Sequence, residues 1–203
     1  MVPTQGRSQL IGIRGLSGDL FNVNHDNTGN IIAGLGLYRQ GASASTVNLY
    51  YGFNAYYLLH TSVRGKIATE RVYTNLSYRY SIVNTPFYAS AKAVFNTSRS
   101  MRFAVDLGVG GNIIQANKFS ERSLDGGMTT PDHIFTTHTS VSWSGMAGLG
   151  VQLNDIFDLA PFEINYRFFY LGQGKLNKAS TRVTNTLVTG NSYASALMLT
   201  MFI

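Results

Sequence analysis

The sequence predicts an all-β chain, a closed antiparallel up-and-down transmembrane β-barrel of about eight strands. Three observations predict it. Apolar residues recur with a period of two through nearly every long segment, which in a strand sends alternate side chains to opposite faces. Charged residues make up only 13% of the 203 residues, while Gly (21), Tyr (12) and Phe (12) are abundant; an ordinary soluble domain carries roughly 25% charge. The mean hydropathy is +0.00, and no stretch approaches the roughly 18–20 uninterrupted apolar residues that a transmembrane helix needs.

The elements follow in order. Residues 1–29 are read as an N-terminal extension, a plug or an extra strand, with Gln9 to Arg14 as a possible short strand. Residues 30–203 are read as the barrel. From Asn30 to Arg39, Ile31, Ala33, Leu35 and Leu37 share a face, and from Thr46 to Leu59 the set Val47, Leu49, Tyr51, Phe53, Ala55 and Tyr57 does the same. Glu70 to Tyr80 sets Val72, Leu76, Tyr78 and Tyr80 against Arg71, Asn75, Ser77 and Arg79. Phe87 to Asn96, Arg102 to Ile114, Ser140 to Gln152, Phe162 to Tyr170 and Tyr193 to Ile203 complete eight segments. Turn-rich pieces separate them: Gln40-Gly41-Ala42-Ser43, Asn84-Thr85-Pro86, Thr97-Ser98-Arg99-Ser100 and Asn154-Asp155. Two long polar connections, Asn117 to His133 and Gly172 to Asn191, exceed any hairpin turn.

The composition of the two faces decides which one meets lipid. One carries Phe, Tyr, Leu and Val, with aromatics such as Tyr78, Tyr80, Phe87, Tyr170 and Tyr193 near segment ends, as interfacial girdles require. The other is small or charged: Gly34, Gly36, Ser90, Gly108, Gly110, Ser142, Ser144, Gly148 and Gly150, together with Arg71, Arg79, Lys92, Arg102, Asp106, Glu163 and Arg167. Eight strands enclose a space that side chains just fill. Charges placed there need partners, so a lumenal salt-bridge network is expected in which Asp106 and Glu163 serve the surrounding Arg and Lys residues.

Other classes find less support. The net charge is +6, but the basic residues form no stripe or helix face, so no nucleic-acid partner is expected. The absence of cysteine removes disulfides and thiolate chemistry. The start Met1-Val2-Pro3 has no secretory pattern, and the expectation is that an export signal has been removed.

Two segments carry a family resemblance. Phe103 to Asn112 (FAVDLGVGGN) is similar to a Gly-x-Gly strand before a surface loop, and Ser142 to Val151 with Phe162 to Gly172 is similar to a penultimate hairpin whose Tyr-Arg run leads to a Leu-Gly pair. The chain thus resembles the opacity-protein and outer-membrane protein A-like small barrels of Gram-negative bacteria. The resemblance covers residues 85–203 well and 30–84 loosely. It implies an outer-membrane location, periplasmic termini, and outward-facing segments near 40–45, 81–86, 117–138 and 172–191. The family's terminal Phe is replaced here by Ile203, which keeps the outward parity.

Candidate chemistry is sparse. His138-Thr139-Ser140 places a His and a Ser on one strand face, as in some barrel lipid A deacylases, yet Val141 follows and no acid is at hand to orient the His. His25, His60, His133 and His138 show no metal-site spacing, and no metal or cofactor is expected. Lys175, Lys178 and Arg182 form a basic stretch in the last connection, suited to lipopolysaccharide phosphates or acidic host glycans. The expected function is a non-enzymatic, monomeric envelope-structural or adhesin-like barrel, with a narrow solute channel and a lipid A-modifying enzyme as alternatives.

Overall fold

A computed structural model gives the architecture and describes residues 4–5, 8–24, 29–98, 100–154 and 161–201. His25, Arg99, Asp155 and Ile203 lie outside the described residues, as does the start of the chain. The described residues form strands and turns and no helix. Twelve strands follow in order: β1 (Thr4–Gln5), β2 (Gln9–Ile11), β3 (Asp19–Val23), β4 (Ile32–Ser43), β5 (Val47–Thr69), β6 (Tyr73–Asn96), β7 (Met101–Ser123), β8 (Phe135–Thr136), β9 (His138–Leu153), β10 (Phe162–Lys175), β11 (Asn177–Lys178) and β12 (Val188–Met201).

Ten of these make one antiparallel up-and-down sheet in the order β1-β12-β10-β9-β7-β6-β5-β3-β2, with β4 beside β5 below β3. β8 and β11 form a separate two-stranded ribbon. The count therefore differs from the eight strands expected, and the described ladders do not close into a barrel: none joins β4 to β12. The residues read as an extension contribute β1, β2 and β3 to the same sheet.

The main surprise is strand length. β5, β6 and β7 run for 23, 24 and 23 residues, roughly 75 Å at about 3.3 Å per residue. The segments expected as two strands at 70–80 and 87–96 are one, and Asn84-Thr85-Pro86 lies inside it rather than in a turn. Asn84 is buried and accepts a hydrogen bond from Asn112 Nδ2 at 2.8 Å. Pro86, which cannot donate to a ladder, is tolerated because β5 slips register close by, between Leu58 and Thr61. The segments 40–45 and 81–86 consequently do not share an end with 117–138. The tight turn at 44–46 sits at the lower end of the sheet, as do Thr97, Ser98 and Ser100, and the turn at 70–72 and the connections 124–137 and 176–187 sit at the upper end.

A staggered belt of irregularities interrupts the ladders. Register shifts fall at Leu58/Thr61 between β5 and β6, at Arg79/Ser81 opposite Asn117/Ser120 between β6 and β7, and at Tyr170/Gly172 between β10 and β12. Each extra residue swaps the faces of the strand that carries it. In β5 the inward residues are Asn54, Tyr56 and Leu58 below the belt and Thr61, Val63 and Ile67 above it; along β10 Arg167, Phe169 and Leu171 face inward, and beyond the shift the buried positions are Gly174 and, one residue past the strand, Leu176. Gly172, at φ 76°, takes a left-handed conformation that glycine adopts without strain.

The belt divides two halves of opposite character. Below it, large apolar side chains point away from the sheet's concave side: Leu35, Phe53, Leu107, Val109, Val141, Trp143, Leu149, Tyr166, Leu197 and Leu199 are all exposed, Leu35 by 85% and Trp143 by 78%. Above it the apolar residues turn inward. Ile11, Phe21, Val63, Ile67, Leu76, Tyr78, Tyr80 and Ile82 from the sheet join Ile134, Phe135, Leu176, Val183 and Leu187 from the upper connections in one core.

Candidate functional site

The inner face of the lower half carries a buried polar cluster. Lys92 on β6 and Glu163 on β10 are separated by β7 and β9, yet the ammonium lies 2.8 Å from Glu163 Oε2 and 3.0 Å from Oε1. The sheet is therefore curled tightly enough for strands three positions apart to share side-chain contacts. Arg167 donates from Nη2 and Nε to Asp106 Oδ2 at 2.7 and 3.0 Å, and from Nη1 to the Tyr56 hydroxyl at 2.6 Å. A longer pairing of Arg167 with Glu163, at 3.9 Å, joins the two ion pairs into one group.

Neutral donors complete it. Glu163 accepts from Gln152 Nε2 and Asn165 Nδ2, each at 2.9 Å. Lys92, Asp106, Glu163 and Arg167 are each at most 3% exposed, so their charges are held by one another and not by water. Gly148 makes room for this arrangement, because a Cβ there would lie 2.0 Å from Asp106 Oδ1. Above the charges, Tyr56, Tyr88 and Phe169 form an aromatic layer with ring centroids 5.2 to 6.2 Å apart. Charges and rings fill this space with side chains, and the contacts among them are ion pairs, hydrogen bonds and ring packing.

The expected network is thus present in four of its seven residues. Arg102 lies at the lower rim, facing Asn96 and Gln152 along the ladders, and joins no ion pair among the described residues. Arg71 and Arg79 are corrections. Arg71 sits in the exposed turn between β5 and β6 and donates to the Ser17 carbonyl at 3.0 Å. Arg79 points outward and donates to Ser62 Oγ at 2.8 Å. The reason is a change of residue and not of orientation: β6 keeps its even-numbered side chains inward from Leu76 to Val94, so Tyr78 and Tyr80, expected on the outer surface, are 3% and 1% exposed and their neighbour Arg79 faces out.

The upper connections fold over the top of the core. The ribbon of β8 and β11 seats Phe135 against Phe21 and Phe119 at centroid distances of 5.8 and 5.3 Å. Glu121 anchors the chain before it by accepting the backbone N–H groups of Asp132 and His133, each at 3.0 Å. Burial pushes the Glu121 pKa up, against the lowering effect of those amides. Asp125 is the opposite case: the Ser123 and Thr129 hydroxyls and the Thr129 amide hold its carboxyl well below the usual carboxylate range.

The remaining candidates stand apart. Lys175, Lys178 and Arg182 are exposed; Lys178 Nζ donates to the Thr184 carbonyl at 3.4 Å, and the Arg182 carbonyl accepts the Arg14 amide at 2.8 Å. His138 and Ser140 are half-buried neighbours on β9, and Ser140 Oγ is buried without a hydrogen-bond partner, so they form no catalytic pair. Among the described residues no three His, Cys, Asp or Glu gather where a metal ion would sit.

No protein-family model matches this chain, and no curated protein matches it either. The geometry therefore carries the functional argument. The apolar upper core escaped sequence reading, although a signal was available on β6: Leu76, Tyr78, Tyr80 and Ile82 fall in the opposite phase to Phe87, Ala89 and Ala91. On β5, by contrast, Val63 and Ile67 keep the parity of Tyr51, Phe53 and Tyr57, and the extra residue at Leu59 and His60 turns them inward.

Proposed function

We propose that the chain is a non-enzymatic β-barrel of the bacterial outer membrane, akin to the opacity and outer-membrane protein A-like barrels, whose upper half stands above the bilayer as a structural or adhesive element. One observation carries this reading. An apolar band runs around the outward face of the lower half, from Phe103 to Ile113 on β7, Val141 to Val151 on β9 and Phe162 to Tyr170 on β10, over an inner face of buried ion pairs. A membrane-spanning strand needs about 9–11 residues. Water on the outside makes no use of exposed Leu, Val, Phe and Trp over such an area, whereas hydrocarbon does.

Aromatics at the edges of the band suit the two interfaces: Tyr57, Trp143, Tyr170 and Tyr193 towards the belt, and Phe95, Phe103 and Phe162 towards the lower turns. Short turns below and long connections above suit periplasmic and outer ends respectively.

In this reading the sheet closes. β1 lies on β12 while β2, only a few residues further along, lies on β3. β3 and β4 lie end to end along the same flank of β5. Grouped this way, the short strands belong to eight antiparallel courses, with the N-terminal segment between the first and last ladders. The filled interior supports a structural role over a solute channel, since charges and rings already occupy the space that eight strands leave.

The test is electrophoretic. Purified in mild detergent, the protein is expected to resist SDS at room temperature and to shift in mobility only after boiling, with β-type circular dichroism throughout. A chain that is monodisperse in detergent-free buffer and shows no heat-dependent shift ends the membrane reading.

A further inference from the structure

The outward face of the lower half carries an open trough of about 770 Å³ that crosses β4, β5, β6 and β7. Clefts that take small molecules and lipids run to roughly 300–1,000 Å³. Its floor is low because small residues stand between large ones: Ala91 faces Tyr51 and Leu107 along the ladders, and Ala89 faces Phe53 and Val109. At the β4 end the lining includes a cation, Arg39, which faces Tyr51.

Two observations point to the occupant. The first is charge. Among the described residues Arg39 is the single Lys or Arg on this outward face: Lys92 and Arg167 are buried inside, and Arg102 shares the inward parity of Asp106 on β7. Arg39 is exposed and takes part in no ion pair among the described residues, and the acids of the lower half, Asp106 and Glu163, are turned inward. The second observation is level. The ladder row of Arg39 runs through Tyr51 and Ala91 to Leu107, but such rows slope, as contacts across the interior show. Lys92 meets Glu163, whose own row reaches β6 four residues lower, at Asn96. Arg167 meets Tyr56, whereas its row reaches β5 six residues lower, at Tyr50. Each step from β10 back towards β4 therefore lowers a row by a little over one residue, the slope of strands tilted about 35–45° and spaced about 4.8 Å apart. Three such steps put Arg39 roughly 9 Å below Leu107, level with Phe103 among the aromatics of the lower edge. The trough thus climbs from a cation at the rim of the apolar band into the band itself.

We propose that Arg39 and this trough bind an anionic glycerophospholipid of the leaflet on the side of the lower turns, its phosphate on Arg39 and one acyl chain rising over Ala91 and Ala89 to Leu107 and Val109. This rests on the membrane reading above. A guanidinium fork suits a pair of phosphate oxygens, and the arginine stem lies along apolar surface while its head reaches the polar boundary. With no described acid on this face, the lipid phosphate supplies the counter-ion. The level of Arg39 selects the leaflet, because lipid phosphates at the upper edge lie across the whole apolar band from it.

The test measures binding of three probes to the detergent-purified chain by native mass spectrometry: phosphatidylglycerol, diacylglycerol with the same acyl chains, and glycerol 3-phosphate. Wild type is expected to retain phosphatidylglycerol in preference to both others. Arg39→Gln is expected to weaken that binding about tenfold. Ala91→Trp, which fills the trough, is expected to weaken it several-fold, with Ala89→Leu as the milder filling change, and Lys178→Ser, at the top of the molecule, to leave it within about twofold. The heat-dependent gel shift is recorded for every variant, and a filling variant that loses it is replaced by the other. Diacylglycerol bound as well as phosphatidylglycerol, undiminished binding by Arg39→Gln or by the filling variants, or glycerol 3-phosphate bound as tightly as the whole lipid overturns the site. Absence of the gel shift in wild type marks failure of the membrane reading instead.

Discussion

The two halves of the sheet share strands and hydrogen-bonded ladders but have opposite chemistry. Below the belt of bulges Leu107 and Trp143 face out and Lys92, Asp106, Glu163 and Arg167 face in; above it Arg64, Arg79 and Arg122 face out and Phe21, Tyr78, Tyr80 and Phe135 face in. Alternation alone says which residues share a face, and nothing about which face is covered. The surroundings decide that. A one-residue bulge turns the apolar face from outside to inside within β5, β7 and β10, whereas β6 keeps one orientation throughout and changes its residues instead, with Phe87, Ala89 and Ala91 outward below and Ser77 and Arg79 outward above.

The largest effect is expected from breaking the interior of the lower half. Glu163→Ala leaves Lys92 without its buried carboxylate and deprives Gln152 and Asn165 of an acceptor. Removing one partner of a buried pair costs about 3–5 kcal/mol. The midpoint of the heat-dependent gel shift is expected to fall sharply, and Glu163→Gln to fall less because it keeps an oxygen for the amide donors. A midpoint that does not move removes the ion pairs from the account of stability.

The upper half is expected to break separately. Phe135→Ala takes the ring from between Phe21 and Phe119, at a cost of about 3 kcal/mol for an aromatic in a closed core. The expected reading is faster protease cleavage in the connections 124–137 and 176–187, with the gel-shift midpoint nearly unchanged. If both change together, the halves fold as one unit and the division is wrong.

Much of this was legible in the sequence, and the limits have a physical cause. The lower strands and four members of the charge cluster, Lys92, Asp106, Glu163 and Arg167, follow from period-two alternation and from a low-charge composition. The expectation for Arg71 and Arg79 fails because it extends one rule, apolar face outward, to a stretch whose apolar residues, Leu76, Tyr78 and Tyr80, face inward. Asn84-Thr85-Pro86 reads as a turn from residue type alone, but Asn84 is satisfied by Asn112 across the ladder, a partner 28 positions away that no local pattern reveals. The ends of the sheet are illegible for the same reason: β1 and β2 are two and three residues long and owe their pairing to β12 and β3.

A matched pair of charges sharpens the contrast on the outer surface. Leu107→Lys puts an ammonium in the middle of the apolar band, where about 2 kcal/mol or more is lost in lipid. Thr139→Lys puts the same group near the upper end of β9, exposed and opposite the neutral, exposed Gln115. Refolding into lipid vesicles followed by urea titration is expected to show the first destabilised and the second within about 0.5 kcal/mol of wild type, the usual range for surface changes. Equal effects argue that no hydrocarbon boundary lies between Leu107 and Thr139.

The smallest effect concerns pH and is confined to the upper end. Glu121 has its pKa raised above the ordinary 4.5 by burial, with His133 favouring and Asp132 opposing its charge. A raised carboxyl pKa stabilises the fold fully below pH 4.5, and that contribution is lost as pH rises through the folded-state value. Asp125, held low by Ser123 and Thr129, works in the other direction: its contribution is present above its ordinary 3.8 and lost as pH falls through the depressed folded value. The connection 124–137 is therefore expected to be most protected near pH 4, and slow amide exchange at Asp132 and His133 to speed up on the alkaline side more than intrinsic chemistry accounts for. In Glu121→Gln that alkaline limb is expected to flatten while the acid limb from Asp125 remains. An unchanged alkaline limb assigns the titration to another group, with Asp19, also raised by burial, the nearest alternative.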